Sequence, residues 1–457
     1  MAIRFIPPIQ TLPEGYSSYN KYTAGVFHAY ADSSMPDDTG DGLSWLTAKK
    51  TLAAAVSVLP DIAEDHVVLH LKGSFDLAGA SVFINVNVSG SVKRLVIDGG
   101  SDVTIIDGPY TATSGTTTSL TDTARSWTPN ALRGYFVEIL DGPAVGYQYP
   151  IQSNTVDTLV VGKTWAAPGT PQYRIISPAT EILSSSGTSY FYYTGKTQSS
   201  VRFQRLIIGP SMFVGCSSGL CTFSTMSFTA IICSEETSRI NTYCPGSTYF
   251  WYPLTDPDNP AADLNTAKNR CGVSHRGGGA GQPISLNLFI AILYGPNVLN
   301  CDVKLMSCSA VIITSGSWIK SIEPLTVGKL ELGYSTSYGT PLIIGDESSI
   351  GIAAKDSRVL VTKDAVIRNC TSHGIQLDNS NLECQSAVLS GSGNAGAGVY
   401  LKNRSSVIFK EGYTPTLTGT AGDIAVTSET VADATWAQVA AGDPVEIMPD
   451  GSVKEVP

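Results

Sequence analysis

Between Ile350 and Ser428 the apolar residues return at the same places in successive stretches of chain. Aligning Gly-Ile-Gln-Leu-Asp-Asn from Gly374 with Gly-Val-Tyr-Leu-Lys-Asn from Gly398 brings whole columns into line. One column holds Ile352, Ile375, Val399 and Ile424; the next holds Ala354, Leu377, Leu401 and Val426; a polar one holds Asp356, Asn379, Asn403 and Ser428. The steps are 375−352 = 23, 399−375 = 24 and 424−399 = 25. Val359, Leu382 and Val407 form a parallel series, as do Val361, Cys384 and Phe409. Within each run apolar residues alternate with polar ones, the period of a strand with one buried face. Two such runs joined at a polar Asp/Asn/Ser corner, recurring every 23 to 25 residues, predict the coil of a parallel β-solenoid. A leucine-rich repeat has a similar period, but its fixed leucine and asparagine frame is absent.

The chain ahead of this region prepares for such a stack. Residues 1–26 are rich in Pro, Tyr and Ser without a clean period and read as an extended arm. Phe27-His-Ala-Tyr-Ala-Asp follows, then Asp37-Asp-Thr-Gly-Asp-Gly-Leu-Ser-Trp-Leu-Thr-Ala. Ser44 is placed to cap a helix with an apolar stripe of Leu52, Val56 and Leu59, ended by Pro60. Asp37, Asp38 and Asp41 miss the spacing of an EF-hand and read as a capping turn. Val67–Leu71 alternates as a strand. This run resembles the opening of pectate-lyase-like right-handed β-helix proteins, in which one helix plugs the open end of the solenoid. The resemblance implies an all-β fold: a right-handed parallel β-helix with an N-terminal capping helix and an inserted small β domain. A polar-backed lid is what the exposed end of a stack requires.

First coils are expected at 27–108, with strands at Val82–Val88, Lys93–Ile97 and Val103–Ile106. The texture changes at Pro109. Residues 109–180 are Thr-rich, with short strands near Tyr135–Leu140, Leu159–Val161 and Tyr173–Ile176 and turns at Asp141-Gly142 and Pro168-Gly169. They are expected to form a small β domain budding from a corner, and they resemble an insertion found in phage and bacterial β-helix proteins. Trp127, Tyr147, Tyr149 and Trp165 lie here. They are candidates to stack on sugar rings, or else to be the core of so small a domain. Less regular coils fill 181–430, interrupted by a polar excursion from Tyr252 to Pro283 that reads as a loop. Its His275-Arg-Gly-Gly-Gly-Ala-Gly lacks the Gly-Lys-Ser/Thr ending of a phosphate loop. Residues 431–457 read as a cap or oligomerisation segment, with a short helix near Trp436 and a hairpin of Val445-Glu-Ile-Met and Val453-Lys-Glu-Val.

Composition narrows the partners. Charged residues make up 15% of the 457, and the net charge of −10 excludes the basic surface that nucleic acid demands. The most apolar run, Leu286–Leu293, is too short for membrane insertion, and the Pro-interrupted Met1–Gln10 does not read as a signal peptide. Nine cysteines include no CxxC pair and no histidines at zinc spacing, so neither a metal nor another cofactor is expected.

Carboxylates are the remaining chemical candidates. Asp98, Asp102, Asp107 and Glu383 are expected on outward strand positions, and Asp346, Glu347, Asp356 and Asp378 at corners. Two acids on adjacent coils would come within about 5 Å, the separation of a retaining glycosidase pair. The columns instead follow Asp356 with Asn379, Asn403 and Ser428, an amide series suited to corners. The Arg-x-Pro-x-x-Arg motif of the lyases is missing. No catalytic residue is therefore assigned. The resemblance implies a bacteriophage virion component of the tail spike or tail fibre type. It further implies a homotrimer held against other tail, baseplate or neck proteins, touching host cell-surface polysaccharide, with a polysaccharide depolymerase as the alternative.

Overall fold

In the computed structural model the described residues are 22–23, 25–88, 95–162, 169–194, 200–209 and most of 297–426, with short strands between 212 and 293 and at 445–447 and 453–455. The chain is nearly all β, with strands stacked in parallel and almost no helix, an arrangement consistent with a parallel β-helix. The register follows the sequence columns: Ile352 pairs Ile375, which pairs Val399, which pairs Ile424, and Val359, Leu382 and Val407 do the same in a second ladder. The described inward residues of these columns are sealed from water: Ile375, Leu377, Leu401, Val359 and Cys384 are all buried in one continuous core.

From Leu342 to Phe409 each coil carries three strands, one more than the two runs expected. Ala365–Arg368, Ile375–Asp378 and Asn381–Cys384 are followed by Leu389–Asn394, Val399–Lys402 and Ser406–Phe409 one coil on. The extra ladder stacks Leu342, Ala365 and Leu389, and its register shifts between Gly391 and Asn394. That irregularity interrupts the alternation which makes the other two visible. The excursion after Tyr252 also contributes to a ladder, since Val273–His275 pairs with Met226–Phe228 and Asn297–Leu299.

The polar corners work by backbone conformation. Asp356, Asn379 and Asn403 all take positive φ, at 48°, 49° and 52°, a left-handed geometry that Asn and Asp tolerate better than other side-chain-bearing residues. The Asn379 amide donates to Asp356 at 2.6 Å, and the Asn403 amide donates to Asp378. A serine series runs beside them. The amide N–H of Val327, Ser357 and Ser380 donates to the hydroxyl of Ser357, Ser380 and Ser405 respectively, at 3.0, 3.0 and 3.1 Å. Buried backbone donors that the turn leaves without a ladder partner are satisfied one coil at a time.

At the first coil, the helix runs Leu52–Val58 and turns Leu52 and Ala55 into the core. Its cap is Thr51, whose hydroxyl accepts from the Ala54 N–H at 3.2 Å, in place of the expected Ser44; Ser44 instead precedes a short 3-10 turn, Trp45–Thr47. Asp38 fastens this cap by accepting from the Thr51 amide and hydroxyl, while Asp37 and Asp41 accept from Thr39, Leu43 and Thr47 inside the loop. The loop then pairs with the outermost strand: Tyr30 N–H donates to Gly42 O, and Asp32 N–H to Lys49 O, at 2.8 and 2.9 Å. An open sheet edge is thereby covered. At the other end, Val445–Ile447 pairs antiparallel with Ser406–Phe409 and with Val453–Glu455, so a hairpin lies along the last strand of that ladder.

Val103–Ile106 does not continue the coils. Val103–Thr111 is one strand, antiparallel to Gln172–Pro178, at the edge of a seven-stranded sheet that ends at Ser114–Gly115. The sheet has its own core of Leu120, Val137, Ile151, Leu159 and Tyr173, among others. It also docks on later coils. The Arg133 guanidinium lies 3.7 Å from the ring centroid of Trp318 and 3.5 Å from the Asp346 carboxylate. Asp346 further receives Arg368 at 3.0 Å, the Asn369 amide at 2.7 Å and the Trp318 indole N–H at 3.2 Å. Trp318 is fully buried beneath Arg133.

Candidate functional site

Strand alternation sends Ala29 and Ala31 into the core and leaves Tyr30 and Asp32 on the outer face. The ladder then places His70 beside Tyr30, Asp98 beside His70, and Gln204 beside Asp98. Trp45 folds over this row from the capping loop, with its ring centroid 5.0 Å from Tyr30 in an edge contact and 6.1 Å from His70. Tyr30 and His70 stack at 4.7 Å. The result is an aromatic wall, beside which the chain opens a cleft of about 400 Å³.

The opposite wall is ionic. Asp98 is buried, and the Arg205 guanidinium meets it through two N–H groups, Nε at 2.7 Å and Nη2. Burial alone would raise the Asp98 carboxyl. The Arg205 charge and hydrogen bonds, with smaller help from His70 and the Gly100 N–H, outweigh it and hold the group down at about 2. Arg205 reaches this position from a left-handed backbone, φ 58°, a strained geometry for a long side chain that persists where surrounding contacts fix it. Gly99 makes the approach possible, since a Cβ there would lie 2.0 Å from the Arg205 carbonyl oxygen. Lys72 pairs with Asp32 at 3.7 Å near the rim. Asp102 lines the cleft and is exposed.

The Asp98 pair makes a testable contribution to stability. Its native carboxyl ionises well below an unfolded aspartate, so its stabilisation is complete above about pH 4 and disappears as pH falls towards 2. Unfolding free energies from urea titrations along that ramp are expected to fall by about 2–3 kcal/mol more in the parent than in an Asp98→Asn variant. Equal acid sensitivity of the two proteins would exclude the pair as its source.

The other expected site residues are scattered. Tyr149 is core, 1% exposed. Trp127 and Tyr147 pack against the same core, and the Trp127 indole donates to Asp107 at 3.0 Å. Asp107 also accepts from the Tyr110 hydroxyl, so it serves this sheet and not the coils. Trp165 and Glu347 lie outside the described residues. Glu383 is no solvated acid: it is buried and pairs with Arg358. Asp346 belongs to the docking cluster, and Asp356 and Asp378 to the corners. Among the described residues Asp98 and Asp102 share one cleft, and Asp356 and Asp378 meet at a corner, where the Asp356 N–H donates to the Asp378 carbonyl oxygen at 3.0 Å. Among the described residues no three histidine, cysteine or carboxylate side chains are gathered to hold a metal ion, and no helix is long and apolar enough to cross a membrane.

No family model and no curated protein matches the chain. Among solved structures it is similar, at 12% identity and a TM-score of 0.23, to XylC in complex with xylose, over 84% of this chain and 71% of that one. It is similar, at 10% identity and a TM-score of 0.18, to the tailspike gp61 of Pseudomonas phage phi297, over 82% and 72%. Likenesses at this level leave function to the geometry of the cleft.

Tyr30, Trp45, His70 and Arg205 escaped the sequence reading for one reason. The capping loop and helix put 40 residues between Tyr30 and His70, and the antiparallel sheet puts 107 between Asp98 and Arg205. Neither step resembles the coil period. The outward alternation of Tyr30-Ala-Asp32 and His70-Leu-Lys72 was the available signal.

Proposed function

We propose that this chain is a structural and adhesive component of a bacteriophage virion, of the tail spike or tail fibre type, whose outer face contacts host-surface polysaccharide. On this reading the stack is a right-handed parallel β-helix and the protein is a homotrimer seated on other virion proteins. The observation that carries it is the cleft, which combines a stacked aromatic wall with polar groups on a rigid sheet face. Aromatic faces and fixed hydrogen-bonding groups are how proteins grip sugars.

Binding fits the cleft better than cleavage does. Glycoside hydrolysis needs one carboxylic acid that still carries its proton near neutral pH. Asp98, held at about 2 by Arg205, is a carboxylate there. His70 Nε2 faces His28 Nδ1 at 3.0 Å, so one imidazole nitrogen is already engaged. The second reading, a depolymerase, draws on Asp98 and Asp102 sharing one cleft. Incubating the full-length protein with capsule or lipopolysaccharide separates the two. Retention of polysaccharide with no new reducing ends is expected. Release of oligosaccharides that stops in an Asp98→Asn variant would establish the depolymerase instead.

A further inference from the structure

The groups in this cleft divide sharply into those the protein has already engaged and those it has not. Arg205 is taken by Asp98, and Lys72 by Asp32. Asp102 is different. Its carboxylate is exposed on the cleft wall, and among the described residues nothing donates to it. The hydroxyl of neighbouring Ser101 and the indole N–H of Trp45 are likewise without a partner among the described residues, and Trp45 is 37% exposed. What remains for a ligand is therefore one indole face with its N–H donor, one hydroxyl and one charged acceptor.

Resting on the adhesive reading above, we infer that the cleft binds a short uncharged saccharide, with a pyranose C–H face on Trp45 and ring hydroxyls donating to Asp102 and exchanging hydrogen bonds with Ser101. Charge decides against an acidic sugar. An acidic sugar would bring a second carboxylate up to Asp102 while both nearby cations are neutralised by acids of the protein, and like charges at such range repel. A hydroxyl-rich neutral ring satisfies each open group without burying an unpaired charge, the arrangement that makes polar recognition selective. The volume of about 400 Å³ lies near the lower end of small-ligand sites, which run from about 300 to 1,000 Å³, so a few sugar units fit and a long chain does not.

The test uses full-length protein and two probes of equal length, a neutral hexose tetrasaccharide tried in gluco, manno and galacto configurations, and a tetragalacturonate, each titrated by calorimetry. At least one neutral probe is expected to bind and the uronate not. Trp45→Ala should weaken the neutral probe about tenfold or more. Asp102→Asn keeps an acceptor oxygen at an exposed position, so it should fold normally, hold the neutral probe within about threefold and admit the uronate. Tighter binding of the uronate by the parent would overturn the ligand class. Neutral binding indifferent to both variants would place recognition elsewhere on the protein, overturning the cleft but not the adhesive role. Absence of binding to these probes and to whole host polysaccharide would overturn both.

Discussion

Leu377→Asp is expected to abolish soluble, cooperatively melting protein. Leu377 is wholly buried and stacked between Ala354 on one coil and Leu401 on the next. An aspartate there would hold its charge with apolar side chains above and below and no cation in the column. It must either ionise in a dry interior or take up a proton at neutral pH, and both are costly. About 4 kcal/mol or more is expected, at the far end of what single substitutions do. Because every coil is the template for the next, the damage should extend beyond one layer. Thermal unfolding followed by circular dichroism provides the check, and a midpoint within a degree or two of the parent would refute the inward assignment of that column.

The second large effect lies at the docking cluster. Asp346→Ala removes the one carboxylate shared by Arg133, Arg368, Asn369 and the Trp318 indole. The Arg133 side chain, only 4% exposed, would lose the Asp346 carboxylate while still buried against an aromatic ring. Breaking a buried pair from one side typically costs about 3–5 kcal/mol. The native Asp346 carboxyl sits below its ordinary value: burial would raise it, but hydrogen bonds from Arg368 and Asn369 and the charges of Arg368 and Arg133 prevail. The contribution of the cluster is thus present above the ordinary aspartate range and fades as pH falls through it. Hydrogen exchange is the informative measurement. Protection should drop in the strands Phe136–Ile139 and Gln148–Asn154 while Ile375–Asp378 stays protected. Uniform loss across both regions, or none, would mean the cluster does not hold the antiparallel sheet against the coils.

The two predictions fall on opposite sides of what the sequence discloses. The Leu377 column was legible because its neighbours repeat at nearly constant steps and the same physics acts on each. The corners were legible as well, because Asn379 and Asn403 recur where only a left-handed turn explains a polar residue after a strand. The docking cluster was not. Arg133 and Asp346 are 213 residues apart and belong to different architectures, so no local period links them. The cleft falls between these cases: Asp98 and Asp102 stood out as acids, yet the residue that sets the chemistry of Asp98 is an arginine beyond the antiparallel sheet. Val103–Ile106 shows the same limit from another side. Its alternation suits a coil and a sheet edge equally, and the partner strand, Gln172–Pro178, decided the matter.

Where the antiparallel sheet attaches has a mechanical consequence. It leaves the stack beside Asp98 and rejoins it at Thr180, yet its far contact is at Trp318 and Asp346. From Thr180–Leu183 to Trp318 the ladder advances five strands, or about 24 Å along the axis. A body with its own core, rooted at one coil and fastened five strands further on, acts on the rod as a splint. Flexing that stretch must either stretch the Arg133–Asp346 contact or compress the sheet, whereas among the described residues the coils beyond Asp346 have no such restraint. The stiffness of the rod is therefore graded along its length, and side loads will bend it first past the splint.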